Sequence, residues 1–319
     1  MSENQNPTKP IAIELGEFFV KIGISGEDRP RIIIDLRSDY MRKSYTNDEF
    51  YPLELLSVEN KIKRITKLDF PENIDHIEDI LQKGFEKTNI NPKDKKLVVS
   101  IDFEFDLNQR ITLANILFKK FQIARLFFGN HHLFALYSSG KTTGLLIEVG
   151  YKEITTIPVY EGLSEKEFVK IIQPKNTRYH DDRSIDEQNK TEGIINQVDE
   201  LNLNENGFPT EIKKSLIDKI YNSLISFEEE KRTILADQVL FYGEQPEIKS
   251  FEQNIIQEFN EKYKDVQIRQ TSPIDSPNEA TWVGLSISGS ITYCFTNPYI
   301  SQEILNEGNM EIITMKLGL

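Results

Sequence analysis

Short apolar runs rich in β-branched residues recur along this chain, and helical patterns separate several of them. The strand candidates are IAIEL, FFVKIGI, RIIIDL, KLVVSI, ARLFF, TGLLIEV and TTIPVY. Isoleucine, valine and aromatic side chains favour strands because they pack well on a pleated, half-buried surface. Consecutive strand, helix and strand units build a central sheet that helices cover. The sequence therefore predicts a mixed α/β fold.

Three segments carry the apolar periodicity of amphipathic helices. The first two, from Ile74 to Ile90 and from Asn108 to Ile123, each lead into a strand candidate. The third, residues 211–235, precedes the strand-like DQVLFYG and a further helix near SFEQNIIQEFNEKY. The predicted apolar stripes are Ile74, Ile77, Ile80, Leu81 and Phe85; Ile111, Leu113, Ile116, Leu117 and Phe121; and Ile212, Leu216, Ile217, Ile220, Leu224 and Ile225.

Length and charge restrict the classes of function. A chain of 319 residues with 38% hydrophobic residues is long enough for two domains with real cores. Its 51 acidic and 38 basic residues leave a net charge of −13, which opposes binding to nucleic acid or to an anionic membrane surface. No run reaches the roughly eighteen apolar residues of a membrane span, and the polar first residues do not resemble a signal peptide. We expect a cytosolic or nuclear protein with protein partners.

Three features that could indicate chemistry are better explained by structure. The single cysteine, Cys294, cannot form an internal disulfide and lies in an apolar-rich run that favours a buried thiol. His131 and His132 are adjacent, so their side chains diverge and do not easily chelate one metal ion. The run GKTTG at 140–144 lacks the earlier glycine of a phosphate loop. The sequence therefore predicts no catalytic residue and no metal site.

One long segment has the composition of a loop. Residues 173–210 are dense in charge, asparagine and glutamine and contain few large apolar residues. Such a segment has little to bury and is expected to be mobile and to be cut first by protease. Residues 1–10 are expected to be disordered.

Three ordered segments resemble the actin family, and the resemblance covers nearly the whole chain. Residues 16–31 resemble the first phosphate hairpin, residues 136–162 the second hairpin, and residues 281–290 the start of the C-terminal helix; NEGN follows at 306–309. The resemblance implies an α/β, ribonuclease H-like fold with two lobes and reduced pointed-end subdomains. The implied first lobe covers 11–140 and has a reduced subdomain 2. The implied second lobe covers 141–319, and its subdomain 4 is reduced or missing. Near 285–319 the chain is expected to return to the first lobe.

The resemblance also identifies the positions that would bind a nucleotide. Family members close two phosphate hairpins and an adenine loop on ATP and a divalent cation, and glycine turns let the backbone approach phosphate. Here Glu17 replaces a hydroxyl donor and would repel phosphate by a few kcal/mol, roughly, at an effective dielectric of about 20. The altered loops are Glu14, Gly16, Glu17 and Phe18; Glu148, Gly150, Tyr151 and Lys152; and Tyr242, Gly243 and Glu244, while His131 replaces the glutamine that orients the attacking water.

Two interpretations of these altered loops stay open. Backbone contacts survive many substitutions, so a nucleotide could still bind. Alternatively, the pocket is closed or abandoned, which is the interpretation that three loops altered together favour, since each gains a larger or an acidic side chain. We therefore expect no cofactor and no enzymatic activity.

The parts of the chain that depart most from the family belong to its pointed end. Only residues 163–236 separate Gly162 from Asp237, where the family places a whole helical subdomain, and residues 37–70 lack a recognisable filament-insertion loop. The motifs LGEFFVKIGISGE, NPKDKK and VGYKEITTIPVYEG resemble those of the actin-related subunits that end the short filament of dynactin. This resemblance implies a non-enzymatic structural subunit that caps the pointed end of that filament in the cytoplasm and supports dynein-driven microtubule transport.

The same resemblance implies a hetero-oligomer with the actin-like filament subunit of dynactin and its small pointed-end subunits. Two alternatives remain: a divergent actin-related subunit of a nuclear chromatin-remodelling complex, and an ATP-binding actin-like protein that polymerises. In the family, a groove at the barbed end receives a loop of the neighbouring subunit. The matching positions retain apolar character or size and are Tyr137, Gly140, Thr142, Ile287 and Ile291. Ile287 could instead pack into the core.

Overall fold

The computed structural model describes most of the chain in separate segments. These are residues 9–16, 19–35, 40–43, 50–52, 74–102, 105–150, 153–164, 166–172, 210–243, 248–271, 276–292 and 299–316. The predicted mobile loop lies outside them except for Thr210, and so do the first eight residues and Cys294. The chain divides into two units: unit 1 contains residues 1–141 and 279–319, and unit 2 contains residues 142–278. The resemblance implies corresponding limits at 140 and near 285.

Unit 1 contains a sheet in which antiparallel and parallel strands are combined. Its strands are β1 (Ile11–Leu15), β2 (Phe19–Ile24), β3 (Ile32–Asp35), β4 (Tyr40–Lys43), β5 (Phe50–Pro52), β6 (Lys96–Ile101) and β7 (Arg125–Asn130). The sheet order is β5-β4-β3-β2-β1-β6-β7. The first five strands pair antiparallel, whereas β1, β6 and β7 are parallel. The parallel connections require crossovers, which helices supply.

Three helices follow these strands in the first part of unit 1. They are α1 (Ile74–Thr88), α2 (Leu107–Lys119) and α3 (His131–Ser138). The first two are the helices that the apolar stripes predict, and α2 begins at a capping box in which Asp106 and Gln109 bond each other's backbone N–H. Strand β1 is buried along its whole length. Ile11, Ile13 and Leu15 pack in the core with α1 and α2, whereas Ala12 packs on the opposite face, against Phe134 of α3.

Unit 2 contains a second sheet that is covered by helices. Its strands are β8 (Gly144–Val149), β9 (Ile154–Tyr160), β10 (Leu163–Ser164), β11 (Lys170–Ile172) and β12 (Val239–Tyr242). The order is β10-β9-β8-β12, with β11 also paired to β9; the β8–β9 hairpin is antiparallel and β12 is parallel to β8. The helices are α4 (Thr210–Ile225), α5 (Glu229–Ala236) and α6 (Ile248–Lys262).

The apolar stripe predicted for 211–235 faces the core of unit 2 along most of α4. Leu216, Ile217, Ile220 and Leu224 are in that core, and the partly buried Ile212 packs against it. Ile225, the last residue of the stripe, is 42% exposed and lies outside the core. As the last residue of α4 it lies about 100° around the helix from its buried neighbour at 224.

The chain then returns to unit 1 as α7 (Ala280–Thr292), α8 (Gln302–Glu307) and α9 (Met310–Lys316). Trp282 and Leu285 of α7 pack with Phe134 against the face of the sheet that α1 and α2 leave free. Unit 1 therefore has helices on both faces of its central strands. No helix in the described segments of either unit is long and apolar enough to cross a membrane.

Candidate functional site

The first hairpin holds a buried ion pair at the position where the sequence analysis placed a nucleotide phosphate. The Gly16 N–H donates to the Phe19 carbonyl at 2.9 Å, and this tight turn pairs Glu14 of β1 with Lys21 of β2. Lys21 Nζ donates to Glu14 Oε1 at 2.8 Å, and each side chain is only 8% exposed. Glu17 and Phe18 lie outside the described residues. The ammonium group of Lys21 is thus already paired with a carboxylate of the same hairpin.

Glu14 and Lys21 begin a row of residues across this end of the sheet, and two further strands continue it. Ser100 of β6 pairs in register with Glu14, and Gly129 of β7 pairs in register with Ser100. Within the described segments, Glu14 Oε2 and Ser100 Oγ are buried without a hydrogen-bond partner. A Cβ at Gly129 would lie 2.4 Å from the Phe134 ring, so that ring closes the row on the α3 side.

His132, the second residue of α3, is part of the packed interior of unit 1. His132 is buried, and this burial lowers its pKa to about 3, with smaller electrostatic effects of His131 and Arg110 acting in the same direction. Arg110 is buried too, and its guanidinium donates to the Phe105 carbonyl and to Asn130 Oδ1, both at 2.9 Å. The bond to Asn130, the residue before α3, holds the turn from β7 into α3. Among the described residues, no cluster of three or more His, Cys, Asp or Glu side chains could hold a metal ion.

The second hairpin and the adenine-loop positions lie in unit 2. The Gly150 N–H donates to the Glu153 carbonyl at 3.1 Å and closes the β8–β9 turn. Gly243 follows β12 with φ +136°, and a Cβ there would lie 2.4 Å from the Val149 carbonyl oxygen, so only glycine fits. Tyr242 is 1% exposed and pairs in register with Glu148. Tyr151, Lys152 and Glu244 lie outside the described residues.

Four of the five predicted protein-binding residues belong to unit 1 and lie on or beside two helices that pack together. Tyr137 of α3 is half-buried, its ring packs edge-on against Phe134 of the same helix, and burial raises its pKa. Gly140 is exposed with φ +70° and open space around it. Ile287 and Ile291 of α7 are 40% and 62% exposed. The fifth, Thr142, is exposed in unit 2.

Sequence reasoning missed two residues that shape these sites. Lys21 was not singled out, although a turn closed between residues 16 and 19 places 14 opposite 21, so the hairpin pattern itself could have revealed the pair. Gly284 of α7 was also missed. A Cβ on Gly284 would lie 1.6 Å from the Phe134 carbonyl oxygen, so α7 approaches the backbone of α3 directly. No local pattern in the sequence indicates that approach.

Comparisons with known proteins agree with this architecture. The family model described as Actin matches residues 5–170, just over half of the 319-residue chain. Centractin of Saccharomyces cerevisiae is 26% identical over 173 residues, which are 49% of this chain and 43% of that protein. Actin-like protein 7A of Bos taurus is 29% identical over 164 residues, 49% of this chain and 37% of that protein. Centractin of Schizosaccharomyces pombe is 24% identical over 166 residues, 49% and 44% of the two chains.

The matched region spans less than half the length of each of these relatives. It contains both hairpins, the crossover helices α1 and α2, and α3. The mixed α/β, actin-like fold that the sequence predicts in two lobes is confirmed. The chain belongs to the actin family.

Proposed function

We propose that this chain is a non-enzymatic actin-related subunit that caps the pointed end of the dynactin actin-like filament and supports dynein-driven microtubule transport. Membership of the actin family and similarity to centractins support a cytoskeletal, dynactin-type role. The proposed partners are the actin-like filament subunit and the small pointed-end subunits. The observation that carries the proposal is the pair of exposed isoleucines on α7.

These two isoleucines are unusual for their position. Trp282 and Leu285 of the same helix are fully buried, yet Ile287 and Ile291 are 40% and 62% exposed. They lie one helical turn apart, so their side chains share one face of the helix. Burying a large aliphatic side chain contributes about 1.5–3 kcal/mol relative to leaving it in water. A neighbouring subunit that covers this face would gain that free energy.

The ion pair in the first hairpin supports the absence of nucleotide. A phosphate that entered this hairpin would have to compete for Lys21 with a carboxylate that is already 2.8 Å from it. It would also face the unpaired, buried Oε2 of Glu14. Both effects oppose a bound anion, because like charges repel strongly where water is excluded.

The filament contact is tested by Ile291→Asp in the full chain. We expect the variant to fold, because Ile291 is exposed. Its affinity for the purified actin-like filament subunit should fall about a hundredfold, because placing a charge at a central interface residue lowers the binding free energy by about a few kcal/mol. The measurements are the melting temperature and co-purification with the filament subunit.

The matched control is Ile225→Asp, which places the same charge at another exposed isoleucine at a helix end, in unit 2. It should leave co-purification unchanged. Unchanged co-purification of folded Ile291→Asp would exclude α7 from the contact. Recovery of chromatin-remodelling subunits in place of dynactin subunits would replace the proposed complex with the nuclear alternative.

The nucleotide prediction is tested on the purified protein. We expect no stoichiometric ATP or ADP after heat extraction, and no rise in melting temperature with Mg-ATP, because a ligand stabilises a native state only if it binds that state. A thermal shift of several degrees at millimolar Mg-ATP would contradict the proposal and would favour the ATP-binding alternative.

A further inference from the structure

A pocket on the surface of unit 2 has no role in the function proposed above. It is open to solvent and lies between β9, β10 and helix α5. Its walls are mainly aromatic and aliphatic side chains. The lining residues are Pro158, Tyr160, Leu163, Phe168, Phe227, Lys231 and Leu235.

The pocket already contains one cation. Lys231 Nζ lies over the Tyr160 ring at 4.9 Å from its centroid and over the Phe227 ring at 4.6 Å. The ring of Phe168 lies 4.5 Å from that of Phe227 and extends the aromatic wall. Ammonium and guanidinium groups are attracted to the faces of such rings. The geometry is therefore that of a cation site in which a lysine of the same chain is the occupant.

The surroundings of the pocket favour a further positive charge. Exposed glutamates directly adjoin its lining residues in sequence: Glu161 follows Tyr160, and Glu228, Glu229 and Glu230 separate Phe227 from Lys231. The chain as a whole carries a net charge of −13. An acidic partner segment would be repelled here, whereas a basic one would be attracted.

The apolar part of the rim is exposed and held in place. Leu163 is 75% exposed, the largest value among the exposed large hydrophobic side chains of the described segments. The turn that presents it is anchored at both of its central residues. The Glu161 N–H donates to Thr143 Oγ1 at 2.9 Å, and the Gly162 N–H donates to the Thr142 carbonyl at 2.7 Å.

We propose that this pocket binds a basic segment of a partner protein, whose Lys or Arg side chain takes the place of Lys231 between the rings of Tyr160 and Phe227. An apolar side chain next to that cation packs on Leu163. The exposed glutamates next to the lining residues in sequence attract the incoming charge. This site lies wholly in unit 2 and stands independently of the α7 contact and of the nucleotide question.

The probe for this proposal is a fluorescent pentapeptide of alternating leucine and arginine, titrated against the full-length protein by fluorescence anisotropy. Lys231→Ser removes the resident cation and opens the pocket, so it should bind the peptide about fivefold more tightly than the unchanged protein. Adding Phe227→Leu to that variant should abolish the gain, because the aromatic face is lost. Leu163→Ser, at an exposed position that does not threaten folding, should weaken binding about threefold.

The matched control is Lys214→Ser, which removes the same charge from an exposed lysine of α4 outside the pocket. It should leave the affinity within twofold of the unchanged protein. An affinity of Lys231→Ser equal to that of Lys214→Ser would overturn the proposal, as would equal binding of the same peptide with glutamate in place of arginine. Circular dichroism melts of every variant separate a lost site from a lost fold.

Discussion

Gly284→Ala should destabilise unit 1 by about 3 kcal/mol or more, at the upper end of what overpacking a protein interior costs. The added Cβ would lie 1.6 Å from the carbonyl oxygen of Phe134 and 2.5 Å from its carbonyl carbon. Because both atoms belong to the backbone of α3, no side chain can rotate away to make room. The two helices must separate, and the buried packing of Trp282 and Leu285 is disturbed with them.

The control for this prediction is Gly308→Ala, at the glycine between α8 and α9. A Cβ added to Gly308 would meet no atom within 4 Å, but the φ of this residue is +71°, so alanine there meets only backbone strain. That strain costs about 1–2 kcal/mol. Urea unfolding of the full-length variants measures both free energies. A Gly284→Ala protein no less stable than Gly308→Ala would show that α7 and α3 do not approach each other through this glycine.

Glu14→Ala should cost about 3–5 kcal/mol, because it removes one partner of a buried ion pair. The side chains of both partners are 8% exposed, so water cannot replace the lost partner without opening the sheet. The double variant Glu14→Leu with Lys21→Met removes both charges and keeps comparable volume. It should recover most of the lost stability, since apolar replacements of buried ion pairs are often neutral.

The control for charge removal is Arg269→Ala in unit 2. Arg269 Nη1 is 3.0 Å from Asp237 Oδ1, but the two side chains are 73% and 43% exposed. Breaking such a pair should cost no more than about 1 kcal/mol, because water solvates the charge that remains. If the double variant at 14 and 21 proves as unstable as Glu14→Ala alone, lost packing and not the broken ion pair accounts for the effect.

Part of the candidate site could be read from the sequence, and part could not. The altered nucleotide positions were recognised because each hairpin is a local unit whose turn residues stand next to one another. The pairing of Glu14 with Lys21 follows from the same local register. The pocket around Lys231 does not, because Tyr160 and Leu163 come from one hairpin, whereas Phe227 and Lys231 come from the α4–α5 turn and from α5, some seventy residues later.

The sequence by itself predicted eight of the twelve described strands and the crossover helices α1 and α2, since periodicity and turn residues act over a few residues. The short strands β4, β5, β10 and β11 were not predicted. The membership of the actin family was indicated by the order of the hairpin motifs. It did not determine which residues of apolar helices remain at the surface. Ile225, the last residue of the predicted apolar stripe of α4, is 42% exposed, and Ile291 of α7 is 62% exposed. Exposure depends on what packs against each helix face, and for α7 that is α3, which lies over a hundred residues earlier in the chain. Only the tertiary structure brings such segments together.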